Sequence, residues 1–143
     1  MFRLFLFVSL FSAFLFFTTS TLAQSSDDAH VVHIQTNKMK GMLVDDADAF
    51  NDMLRRQMGV VNSDSRVVSS RVLRHFWGAD SRDFVLVTEF KNLDDLFSFY
   101  NDMNSMMEKA LSKEQVDKDN EMWAKFVGQH SDEIYQETPG TRK

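Results

Sequence analysis

The side chains most able to exchange a proton near neutral pH are the four histidines, His30, His33, His75 and His130, with Tyr135 beside the last of them. They are spread through segments that read as β-strands, so the parity of each strand decides what each can meet. In "RVLRHFWGADSRDFVLVTEF" two apolar runs flank a short polar turn, the pattern of an antiparallel hairpin. On its first arm Arg71, Leu73, His75 and Trp77 share one face, and Ser70, Val72, Arg74 and Phe76 share the other. On its second arm Val85, Val87 and Glu89 oppose Phe84, Leu86, Thr88 and Phe90. The largely apolar second set suits a core beneath helices, with Thr88 as its one interruption. The first set then faces a second layer, where His75 and Glu89 are expected to meet as an imidazole–carboxylate pair able to act as acid or base. The bland alternative is a hydrogen bond sealing an interface. His33, His75 and Tyr135 are the candidate acid–base groups, and His33, His75, Trp77, Glu89 and Tyr135 the candidate ligand contacts.

Other chemistries find less support. His30 and His33 stand three apart, so on a strand they point to opposite faces and cannot hold one ion together. With no cysteine and such scattered histidines, neither a metal nor another cofactor is expected, and His30 reads as a solvated strand-end residue. The acidic run Asp45, Asp46, Asp48 and Asp52 lacks the glycine and terminal glutamate of a calcium loop, and fits the start of a helix. No Gly-x-Ser-x-Gly elbow is present. Met103, Met106, Met107 and Met122 fit adaptable core filling, or the wall of a pliable apolar pocket.

These residues need a scaffold. Ala29–Asn37 has the β-branched content of a strand, and a helix with Ala47, Phe50, Leu54 and Met58 inward runs from Val44 to Gly59. The hairpin arms follow, with a bulge or bend at Ser69-Ser70. Asn92 then opens the longest helix, and Ser112 with Gln115 forms a capping box for another, which Gly128 ends. Glu133–Glu137 makes a short last strand. Helical stripes can cover one face of such an antiparallel sheet, and the uncovered face carries Val85, Val87, Leu73 and Trp77. A two-fold homodimer in which that face meets itself would bury it.

The first 23 residues, "MFRLFLFVSLFSAFLFFTTSTLA", combine an early Arg3, an uncharged apolar run and small residues at Thr21 and Ala23, as a secretory signal does. The run is short for a bilayer span. The expectation is an exported, periplasmic or extracellular protein, with no stable membrane span after cleavage. A polar leader would occupy 24–28, one α+β domain 29–137 and a polar tail 138–143. Without Arg3 the chain carries 15 basic against 21 acidic residues, a balance that disfavours nucleic acid.

The βαββα(α)β order, with "FVLVTEFKNLDDLFSFY" passing from the third strand into the second helix, resembles the dimeric α+β-barrel superfamily of ferredoxin-like domains. That group includes antibiotic-biosynthesis-type monooxygenases, haem-degrading enzymes, small cyclases and many uncharacterised domains, and "HSDEIY" is similar to the tails of small exported bacterial proteins. The resemblance implies an α+β fold, two sheets meeting face to face, and a cleft between each sheet and its helices. Haem-degrading members use an Asn, a Trp and a His. Trp77 and His75 are present here, but Asn37 is expected only at the end of the first strand, so the resemblance implies no catalytic residues. Three functions fit: binding a small apolar or aromatic molecule in the cleft, a cofactor-independent monooxygenase- or cyclase-like activity, or a structural, partner-binding dimer.

Overall fold

The computed structural model describes residues 29–41, 44–78 and 82–141. The expected signal segment and leader, the centre of the hairpin turn and the last two residues lie outside them. Its elements run β1 (Val31–Met39), α1 (Val44–Asn62), β2 (Val67–Arg74), β3 (Asp83–Phe90), α2 (Leu93–Ala110), α3 (Lys113–Phe126) and β4 (Val127–Gln136). The strands form one antiparallel sheet in the order β2-β3-β1-β4, the ferredoxin-like arrangement, with β1 and β3 at its centre. Among the described residues no helix is long and apolar enough to cross a membrane.

Local chemistry sets several boundaries. Asn92 caps α2 by accepting from the Asp95 N–H at 2.8 Å, and Ser112 caps α3 by accepting from the Gln115 N–H at 3.2 Å. Each satisfies a donor that a helix start leaves orphaned. Gly59 does not stop α1, which runs on to Asn62 because Val60 and Val61 extend its apolar stripe and Val61 is buried. Gly128 likewise does not end α3; the chain passes into β4 directly at Val127. That strand has ten residues where a short one was expected. Its polar sequence hid it, since an edge strand needs only one partner and leaves most side chains in water.

The helices cover one face of the sheet. Phe84, Leu86, Thr88 and Phe90 of β3 lie on it, and the register places Val31, His33, Gln35 and Asn37 of β1 beside them. The core gathers in two clusters. One joins Phe90 to Phe99, Leu96, Val31 and Val61, and the other joins Phe84 to Phe50, Met53, Leu54 and Phe126. Each fully buried Phe contributes about 1.5–3 kcal/mol by leaving water. Arg74 lies over the rings of Phe50 and Phe84, 5.6 and 5.9 Å from their centroids, and bonds Asn51 at 2.6 Å. A buried Asp119 ties α3 to α1 by accepting from Arg56 at 2.6 Å.

Candidate functional site

Between the two clusters the helix-facing strand positions turn polar. Thr88 interrupts β3, and His33, Gln35 and Asn37 follow one another on β1 at every second residue. Here the helices stand off the sheet, leaving a cleft of about 640 Å³. Gln35, Asn37 and Thr88 belong to its floor, Met58, Met103 and Met107 to its helical wall, and Trp123 of α3 flanks it. Met106 and Met122 instead pack against the two core clusters. Asn37 is not at a strand end as expected: β1 continues to Met39, and Asn37 is only 2% exposed.

A line of hydrogen bonds crosses the sheet beside the cleft, with a member on every strand. Ser70 of β2 meets Thr88 of β3 at 2.9 Å, and the Thr88 hydroxyl bonds the phenol of Tyr100 on α2. The Tyr100 hydroxyl contacts His33 Nδ1, and His33 Nε2 lies 3.1 Å from Asp132 of β4. An imidazole that gives its Nε2 proton to Asp132 keeps Nδ1 as the acceptor for the phenol. Burial pushes the Tyr100 pKa up to about 12, with the Asp132 charge adding to the effect against the Thr88 hydrogen bond. The phenol is therefore neutral near pH 7, and polar rather than charged chemistry lines this side of the cleft.

The other sequence candidates lie elsewhere. His33, 8% exposed, faces the helices, where it meets Tyr100 of α2. His75 and Glu89 do not meet. Glu89 is opposite Ser69 near the start of β2, whereas His75 lies beyond its end, next to Asp83. Six residues along a strand separate Ser69 from His75, about 20 Å. The His75 ring turns back onto the Trp77 carbonyl, and Trp77 is 89% exposed. Tyr135 sits on the open face and donates to Glu133, while His130 borders the cleft, so these two do not converge. Glu89 instead joins His30, which is thus not a solvated strand-end residue.

Sequence reasoning missed Tyr100, which falls within the longest helix, and Asp132, whose strand was not recognised at that position. The signal within reach was Thr88 in an apolar alternation, together with three polar side chains sharing one face of β1.

No protein-family model matches the chain, and no curated protein matches it. Solved structures do. The chain is 18% identical to a dimeric protein of unknown function and ferredoxin-like fold from Bacteroides fragilis, over 75% of this chain and 95% of that one, with a TM-score of 0.53. It is 17% identical to a putative antibiotic biosynthesis monooxygenase from Nitrosomonas europaea, over 79% and 94%, with a TM-score of 0.53. It is 10% identical to SnoaB, a cofactor-independent oxygenase from Streptomyces nogalater, over 80% and 98%, with a TM-score of 0.50. At these identities the likeness is one of fold, and the fold is that of the ferredoxin-like dimeric α+β proteins, as the element order implied.

Proposed function

We propose that this protein binds a small apolar or aromatic molecule in the cleft between its sheet and its helices. The observation that carries the reading is the cleft itself. Its volume of about 640 Å³ suits a molecule of metabolite or drug size, and its methionine and aromatic walls meet a floor of Gln35, Asn37 and Thr88. Methionine side chains reshape at low cost, so the wall accommodates more than one apolar outline while the floor fixes a polar substituent. The protein acts as a homodimer through the open sheet face, where Val32, Ile34 and Val85 are half-buried and Leu73 is 46% exposed in the single chain. The described dimeric state of a similarly folded protein supports this assembly. The apolar N-terminal run supports export, with binding taking place outside the cytoplasm.

A second reading is favoured by the Tyr100–His33–Asp132 array. An imidazole held between a phenol and a carboxylate can relay a proton, and a protein of the same fold is a cofactor-independent oxygenase. Native mass spectrometry of the purified protein tests the first reading: a small molecule should remain bound, and Met103→Trp, which fills the cleft, should release it. A bound molecule that Met103→Trp leaves in place contradicts the assignment of the cleft. If His33→Ala retains the molecule but abolishes its turnover, the second reading takes over.

A further inference from the structure

The open face holds a second cluster, built from the ends of the strands. His30 precedes β1, Glu89 is the penultimate residue of β3, and Glu137 follows β4. One ligand atom from each lies within 4.8 Å of the others. Non-local pairing assembles them. The Glu137 N–H donates to the His30 carbonyl at 2.9 Å, extending the β1–β4 ladder by one step and setting the two side chains across from each other. Glu89 faces Val32 of β1, one diagonal step from His30, and its carboxylate contacts His30 Nδ1.

β2 completes the arrangement through a bulge. Val67 pairs with Phe90, yet Ser69 rather than Val68 stands opposite Glu89, so the ladder skips one residue. An unbroken ladder would put the isopropyl group of Val68 there. The bulge brings the Ser69 hydroxyl to 3.0 Å from Glu89 Oε2, leaving Oε1 turned toward His30. A carboxylate only 5% exposed is thereby held in a fixed orientation, as the outer partners of metal ligands hold them.

We propose that His30, Glu89 and Glu137 form a binding site for one divalent transition-metal ion. One imidazole nitrogen and two carboxylate oxygens are the donors that suit zinc or manganese, whereas an all-oxygen set would favour magnesium or calcium. Tetrahedral ligands at about 2.1 Å from a metal lie about 3.4 Å apart, so the His30–Glu89 pair opens as the ion replaces its hydrogen bond, while Glu137, beyond the last strand, is placed to move to meet the ion. Three protein ligands leave a coordination position open. The bound ion also cross-links the ends of β1, β3 and β4 in a chain that has no cysteine. The parity argument that separates His30 from His33 stands, but both partners of His30 come from distant strands.

The test strips the purified protein with a chelator, then titrates Zn2+ against a chromophoric competitor and records the thermal midpoint. One Zn2+ per chain and a raised midpoint are expected. Glu137→Gln and His30→Ala, both outside the strands, should each weaken binding by about tenfold or more with the circular dichroism spectrum unchanged. His130→Ala, at a separate His–carboxylate contact, should bind as the unaltered protein does. Failure to bind one Zn2+ per chain, or binding that either cluster variant leaves unchanged, overturns the proposal.

Discussion

His30 and His33 are three residues apart and work on opposite faces of one sheet. His33 lies beneath the helices, between a phenol and a carboxylate, beside a cleft with apolar walls. His30 lies on the open face between two carboxylates drawn from other strands. The same imidazole thus has two environments, decided by strand parity and by the partners each face receives. The helix face obtains its partners from α2 and β4. The open face obtains its partners from the strand ends, steered by the bulge at Val68. In both places the chemistry follows from backbone register more than from adjacency in the sequence.

The two faces should respond differently to truncation. Phe84→Ala empties a fully buried site on the helix face and should cost about 3–5 kcal/mol in denaturant unfolding. If its cost falls near 1 kcal/mol, the helix-side core is not the principal source of stability. Leu73 pairs with Val85, the neighbour of Phe84, but points to the open face. Leu73→Asp should leave the isolated chain nearly as stable while halving the mass seen by light scattering at micromolar concentration. A mass that does not change would remove the open face as the site of dimerisation.

The smaller effects sharpen the contrast. Because Tyr100 has a folded-state pKa raised from 10 to about 12, the unfolded chain loses that proton first as pH rises. Its contribution is intact below pH 10 and is lost between about pH 10 and 12, about 1–2 kcal/mol once solvent screening of the half-buried phenol is allowed for. Tyr100→Phe should abolish this alkaline loss in pH-dependent unfolding; an unchanged alkaline limb would assign it to another group. At the hairpin tip, Trp77→Ala should change stability by no more than about 0.5 kcal/mol, because Trp77 stands in solvent. A larger change would mean that the tip packs against something in solution.

How much of this the sequence disclosed follows the same division. Periodicity and caps were legible, because Asn92 and Ser112 act within three residues of themselves. The helix-facing set of β3 was legible from alternation alone. Register was not, since a single inserted residue at Val68 and a strand ending at Arg74 decide that Glu89 meets Ser69 and His30 rather than His75. β4 was short in the reading because Gly128, Gln129 and His130 carry no apolar signal on an exposed edge. The cleft left two traces, Thr88 where the alternation called for an apolar residue and the polar His33, Gln35 and Asn37 sharing one face of β1.

The central claim is that the cleft on the helix face takes up an apolar molecule. It is tested most directly by titrating 1-anilinonaphthalene-8-sulfonate into the protein and into Met103→Trp, with near-ultraviolet circular dichroism confirming that both are folded. Saturable binding of one probe per chain that the Trp substitution abolishes is the predicted result. No saturable binding, or binding equal in both proteins, would contradict it.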